Sequence, residues 1–155
     1  MAQIADGQRN MRSSRFSPHL WLLLILIASP AKAERLFTAT CEKLTGTKLA
    51  LVNGRPTSSL ESHLAPVFYI NSDSPKTLFN EWTAYGSTDK YESIIVLSNA
   101  EMIQAIELAF NGLFTYTISL TEGTLLYSHH RTVSPMDPGV NLLSFAAKCD
   151  IKTKR

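Results

Sequence analysis

Two adjacent histidines, His129 and His130, are the residues of this chain whose type and spacing most directly suggest chemistry. Paired imidazoles bind metal ions or transfer protons. Both lie in residues 125–133 (LLYSHHRTV), a run that favours a β-strand, and successive side chains of a strand point to opposite faces. The two imidazoles are therefore expected to diverge, and the pair does not predict a metal site.

The partners of the two histidines follow from the turn that precedes them. Residues 121–124 (TEGT) predict a tight hairpin with the Glu-Gly pair at its tip. This register sets Tyr116 opposite His129 and Thr115 opposite His130. His129 is thus expected on the apolar face of the hairpin, and His130 on the polar face.

The apolar face of this hairpin holds four candidate ligand-lining residues, which are Tyr116, Tyr127, His129 and Arg131. We interpret His129 as a core residue that is hydrogen-bonded to a tyrosine hydroxyl, and the alternative is a ligand-lined barrel interior. A guanidinium resists burial without an acidic partner, so Arg131 at the rim of a barrel could hold an anion or a carboxylate.

Other residues that could do chemistry are isolated in the sequence. Glu81 and Asp137 lack a visible second acid with which to divide acid and base roles, and His63 lies in a polar segment that we expect to face solvent. The chain contains no G-x-S-x-G elbow, no phosphate-binding loop and no G-x-G-x-x-G. We therefore predict no catalytic residue, no metal and no cofactor.

The elements that must position these residues are mostly strands. Short runs rich in Thr, Tyr, Phe, Val and Ile alternate with turn-forming clusters, which is typical of an antiparallel β protein. The predicted strands are residues 36–43, 47–52, 67–71, 78–85, 91–97, 114–120, 125–133 and 142–149. They predict a single mainly β domain, either a small antiparallel barrel or a sandwich.

One segment breaks this pattern and predicts a short helix over residues 99–110. Ser98 and Glu101 have the spacing of a capping box, and apolar residues recur at helical spacing until Asn111-Gly112. The alternative is a strand through residues 105–110, because so dense an apolar run satisfies either period.

The chain has two cysteines, Cys41 in the first predicted strand and Cys149 in the last. Side chains two apart share a face of a strand, so Cys41 lies with Phe37 and Ala39, and Cys149 with Phe145. Both cysteines are thus on apolar faces, as an interior bridge requires. We predict a disulfide that joins the first and last strands and closes, or nearly closes, the sheet.

Residues 1–33 predict a cleaved export signal. Three arginines precede a short apolar run, residues 20–28, and Ala31 and Ala33 form the small-x-small pattern that a signal peptidase accepts. The run is too short to cross a bilayer, so we expect no stable membrane span after cleavage. The exported domain is residues 34–155, periplasmic or secreted, and Met11 is an alternative to Met1 as the true start.

Without residues 1–33 the chain keeps eleven basic and twelve acidic residues, a net charge of −1. A nearly neutral surface has no long-range field to attract phosphates, so a nucleic-acid partner is not expected. These features predict a non-catalytic exported β module that binds another protein or an envelope component. The alternatives are a carrier of a small molecule in the barrel interior and, third, an envelope hydrolase.

Overall fold

The computed structural model describes residues 33–52, 54–109, 112–131 and 141–154, and these residues form ten β-strands. The strands are β1 (Arg35–Cys41), β2 (Leu44–Val52), β3 (Arg55–His63), β4 (Pro66–Asn71), β5 (Thr77–Ala84), β6 (Ser87–Ser98), β7 (Met102–Ala109), β8 (Gly112–Ser119), β9 (Thr124–Arg131) and β10 (Asn141–Thr153). No helix that is long and apolar enough to cross a membrane occurs among the described residues.

The sheet closes on itself as an eight-stranded antiparallel barrel. Its strand order is β1-β4-β5-β6-β7-β8-β9-β10, and β10 pairs with β1 to complete the circle. The remaining strands, β2 and β3, form a hairpin that lies between β1 and β4 in the chain. Within this hairpin, β2 pairs with the first half of β10. The predicted mainly β architecture is therefore confirmed, and the barrel is the correct one of its two forms.

The predicted disulfide is confirmed where the first and last strands meet. Cys41 on β1 lies directly opposite Cys149 on β10, and the two are bonded. Both are flanked by inward-facing apolar side chains, as strand parity requires. A backbone hydrogen bond also ties Cys149 to the β8–β9 turn, because the Cys149 N–H donates to the Gly123 carbonyl at 2.8 Å.

The predicted helix over residues 99–110 is wrong, and no helix occurs in the described part of the chain. Most of the segment is β7, in which Ile103 and Ala105 point inward and Leu108 is exposed. The side chain of Asn99 caps a turn instead of a helix, since its Oδ1 accepts the N–H groups of Glu101 and Met102 at 2.9 and 2.8 Å. Backbone pairing of this segment with β6 and β8 therefore selects the strand, with its period of two, over the helix.

The predicted register of the β8–β9 hairpin is wrong by two residues. Ser119 pairs with Thr124, so the turn contains four residues rather than two, and Tyr116 faces Tyr127 instead of His129. The longer turn has local support, because Ser119 Oγ accepts the Glu122 N–H at 3.2 Å. A shift of two residues preserves the alternation of faces, so His129 still points inward and His130 outward.

The sequence did not predict β3. Its residues, RPTSSLESH, are mostly polar and every one of them is exposed, so the strand lacks the alternation that marks a half-buried strand. It forms because all nine residues pair with β2. Among the described strands β2 is its only partner, so one edge of β3 is open to solvent.

The register places the turns at residues 72–76, 99–101 and 120–123 at one end of the barrel, which we call the closed end. Aliphatic side chains fill it, and Leu78, Ile118 and Leu125 have no exposed surface. The opposite end, which we call the mouth, holds the β5–β6 turn at Tyr85-Gly86, where both residues have positive φ. The β2–β3 hairpin extends past the mouth on one side.

Candidate functional site

A cavity of about 350 Å³ opens at the mouth, and we call it the mouth cavity. Inward-facing side chains of β5 to β9 and the end of β3 line it, because alternate residues of each strand face the interior. Its aromatic lining consists of His63, Trp82, Tyr91, Phe114, Tyr116, Tyr127 and His129. Its two carboxylates are Asp89 and Glu107.

Apart from Tyr91, the rings of the aromatic lining contact one another and form a continuous wall. Tyr127 lies against Tyr116 with ring centroids 5.3 Å apart and against Trp82 at 5.8 Å. Phe114 stacks on His129 at 3.9 Å. Gly112 makes room for this stack, since a Cβ there would lie 2.4 Å from the His130 carbonyl oxygen and 3.0 Å from His129 Nε2.

His63 completes the wall from the β2–β3 hairpin. Its imidazole meets Trp82 edge to face at 5.1 Å and Phe145 at 5.9 Å, although the residue is exposed on its other side. The expectation that His63 faces solvent is therefore only half right. Its strand, β3, had not been predicted, so its inward orientation could not be inferred.

A chain of hydrogen bonds runs through the barrel behind this wall. The Trp82 indole N–H donates to Asn80 Oδ1 at 2.7 Å, and Asn80 Nδ2 donates to Ser93 Oγ at 3.3 Å. The chain ends at Glu107, whose Oε2 accepts from Ser93 Oγ at 3.4 Å and from the Tyr116 hydroxyl at 3.0 Å. Trp82 and Tyr116 are thus held in fixed orientations.

The site keeps its tyrosines and histidines uncharged near neutral pH. Burial, reinforced by the nearby Glu107 carboxylate, raises the pKa of Tyr116 and Tyr127 far above their ordinary value. Burial also lowers the pKa of His129 to about 4, with Arg131 and His130 adding to the effect. Burial lowers the pKa of His63 as well. The tyrosines and histidines among the described lining residues therefore add no charge to the cavity near pH 7.

No protein-family model matches the chain, and no curated protein or solved structure matches it. The chemistry must be derived from the geometry. No group of three or more His, Cys, Asp or Glu residues among the described residues is arranged to hold a metal ion.

Three of the four predicted ligand-lining residues, Tyr116, Tyr127 and His129, line the mouth cavity. The fourth, Arg131, is the last residue of β9, and its partly buried side chain does not contribute to the lining. Our interpretation of His129 as a satisfied core residue is wrong. Its Nε2 is buried and has no hydrogen-bond partner among the described residues, and the Tyr116 hydroxyl donates to Glu107 instead.

Glu81 and Asp137 are the two isolated carboxylates to which the sequence assigned no acid–base role. Glu81 lies on the outer face of β5, where it accepts from the Tyr69 hydroxyl and pairs with Lys90 at 3.0 Å. Its partners lower its pKa despite some desolvation. Asp137 lies outside the described residues.

Sequence reasoning missed the polar members of the site, which are Asn80, Asp89, Ser93 and Glu107. Glu107 was missed because its segment was predicted to be a helix. Only a strand places Glu107 on the same face as both Ile103 and Ala105. Asn80 could have been found, since it lies midway between two inward-facing apolar residues of a correctly predicted strand. The site thus combines preset aromatic surfaces, a fixed hydrogen-bond network and carboxylates.

Proposed function

We propose that this protein is a non-catalytic binding protein that holds a small molecule with a planar ring in the mouth cavity. The observation that carries the proposal is the cavity itself, in which stacked aromatic rings meet a preset hydrogen-bond network. Ligand sites are typically concave, mostly apolar and largely preformed, with a few convergent polar groups. At about 350 Å³ the cavity is at the small end of their usual range, which favours a compact ligand.

Occlusion of the cavity tests this proposal. Ala109 lines the mouth and is exposed, so Ala109→Trp fills the entrance without disturbing the closed end. Its neighbour Leu108 is 80% exposed on the outer face, so Leu108→Trp is a matched control. Calorimetric titration uses three naphthalene probes of different charge: 2-naphthylmethylammonium, 2-naphthylmethanol and 2-naphthoate.

At least one probe is expected to bind the unaltered protein and the Leu108→Trp variant, and to lose at least tenfold in affinity for Ala109→Trp. If no probe binds the unaltered protein, the small-molecule proposal fails. Equal binding to both tryptophan variants would place the probe outside the cavity and would also contradict the small-molecule proposal.

A second candidate function is the binding of a protein or envelope component through the β2–β3 hairpin. The open edge of β3 offers unpaired backbone groups to an extended segment of a partner, as in β-strand addition. Leu60 on this strand is 90% exposed, and Leu49 and Leu51 on β2 are half-exposed. Apolar side chains on an unpaired edge favour association.

Paired lysine variants test this second candidate. Leu60→Lys places a charge on the open edge, while Leu108→Lys places one on an equally exposed part of β7. A partner captured by cross-linking in an envelope extract should be lost with Leu60→Lys and retained with Leu108→Lys. Loss or retention in both variants would contradict binding at the β3 edge.

We also propose that the protein is exported, with residues 1–33 as a cleaved signal. The support is the Cys41–Cys149 disulfide, since such bonds persist in oxidising compartments. Intact-mass measurement of the exported protein should give a chain that begins at Glu34. A membrane-bound species that retains residues 20–28 would contradict this.

A further inference from the structure

The charges that line the mouth cavity all have one sign. Asp89 and Glu107 are its carboxylates, and none of the described residues that line it is lysine or arginine. The imidazoles of His63 and His129 do not offset this charge near pH 7, because burial lowers the pKa of both. An anionic ligand would therefore be repelled by these carboxylates. Arg131, whose charge adds to the lowering of the His129 pKa, lies near the cavity but is not among the described residues that line it.

Glu107 is a carboxylate that lacks a cation in the described part of the chain. Its Oε2 accepts two hydrogen bonds, both from uncharged hydroxyls, and its Oε1 accepts none from the described residues. The outer-face Glu81, by contrast, is paired with Lys90. A partly buried carboxylate without a counter-ion pays a desolvation penalty, and a cationic ligand would remove it.

The aromatic wall beside Glu107 also suits a cation. The faces of tryptophan and tyrosine rings attract ammonium groups within about 6 Å of the ring centroid. Tyr116 is fixed by its bond to Glu107, and Trp82 by its bond to Asn80, so both rings hold their positions. His129 adds a buried Nε2 that no described residue contacts by a hydrogen bond, and a neutral imidazole has one nitrogen that accepts a hydrogen bond.

We infer that the ligand of the mouth cavity is an organic cation, an ammonium group attached to a planar ring, with Glu107 as its counter-ion. This inference rests on the proposed small-molecule function and narrows it to one ligand class. The ring stacks within the aromatic wall, and the ammonium group lies between Glu107 and the tyrosine faces. Asp89, exposed at the rim, adds long-range attraction for an approaching cation.

The three naphthalene probes test this inference because they share a ring system and differ in charge. We expect 2-naphthylmethylammonium to bind at least about tenfold more tightly than 2-naphthylmethanol, and 2-naphthoate to bind most weakly. Glu107→Gln keeps the side-chain shape and an oxygen acceptor for Tyr116 while removing the charge. It should reduce the preference for the ammonium probe over the alcohol to within about threefold.

The matched control is Glu92→Gln, which removes the same charge from an outward position on β6, opposite Phe79. It should leave the preference unchanged. Equal or tighter binding of the alcohol or the carboxylate to the unaltered protein would overturn the inference while leaving the small-molecule function standing. Absence of binding by all three probes would instead defeat the proposed function. The comparison of probes needs no variant, so it decides the matter even if Glu107→Gln fails to fold.

Discussion

The two ends of one barrel are built from the same strands but have opposite chemistry. Along β9, the inward residues change from Leu125 at the closed end, through Tyr127, to His129 at the mouth. Along β7, they change from Ile103, through Ala105, to a glutamate. Both strands thus change from aliphatic residues at the closed end to polar residues at the mouth, with an aromatic residue between them on β9. This change separates a stabilising half of the barrel from the half that we propose binds a ligand.

The separation has a physical cause. A small barrel is filled by its own side chains, and an aliphatic layer seals one end at high packing density. Aromatic and polar residues at the other end leave a space of about 350 Å³ and a buried imidazole nitrogen that has no hydrogen-bond partner in the part of the chain that the structure describes. Binding sites commonly retain features that do not favour stability. Substitutions at the closed end should therefore affect unfolding more than those at the mouth.

Loss of the disulfide is expected to have the largest effect on stability. Cys41 and Cys149 are separated by 108 positions in the chain, and closing so long a loop constrains the unfolded state by about 4–5 kcal/mol in the chain-entropy model. Replacing both cysteines with alanine should lower the free energy of unfolding by about 2–5 kcal/mol, measured by chemical denaturation. A loss below about 1 kcal/mol would mean that the stability of the barrel does not depend on this bond.

Truncation of Leu125 should come next, because this side chain has no exposed surface and packs in the closed end. Leu125→Ala is expected to cost about 2–5 kcal/mol through lost burial and the cavity left behind. Its neighbour Leu126 is 55% exposed on the outer face, so Leu126→Ala is a matched control that should cost well under half as much. Similar losses in both variants would contradict the description of the closed end as the stabilising half.

The mouth should make its own contribution to the pH dependence of stability. His129 has a pKa of about 4 in the folded protein and 6.5 as its ordinary value, so between these limits the unfolded state binds more protons. The free energy of unfolding is therefore highest above pH 6.5 as far as His129 is concerned, and it falls as the pH is lowered from 6.5 towards 4.

Comparison with His129→Leu isolates this contribution. Because the cavity admits solvent, we expect the unaltered protein to lose about 1–2 kcal/mol more than the variant between pH 7 and 4. His63 titrates in the same direction and remains in both proteins. Chemical denaturation at each pH measures the difference, and identical pH profiles would show that His129 is not desolvated at the mouth.

The alternation of faces along each strand was the more predictable part of the molecule. Strand parity placed both cysteines on apolar faces, and this inference needs only the alternation within each strand. The same alternation placed His129 inward although its partner was wrong, because the longer turn shifted the register by two residues. Parity survives such a shift, whereas the identity of the facing residue does not.

The mouth was harder to predict because its parts depend on contacts between distant segments. The residues from Ile103 to Leu108 satisfy helical and strand periods alike, and only pairing with β6 and β8 selects the strand that carries Glu107. His63 reaches the cavity on β3, whose formation rests on its pairing with β2 rather than on its own sequence. Local pattern therefore predicts which way a residue points, but not which residues meet.

The smallest expected effect separates the adjacent histidines. His129→Ala removes a ring stacked on Phe114 at 3.9 Å, but it also removes a buried nitrogen without a partner, so the two changes partly offset each other. We expect a loss of about 1 kcal/mol, less than for a leucine at the closed end. His130 is exposed on the outer face opposite Leu113, and His130→Ala should change stability by less than about 0.5 kcal/mol. Chemical denaturation compares the two directly. A larger loss for His130→Ala would mean that β9 is displaced by one residue, since a shift of one exchanges its two faces.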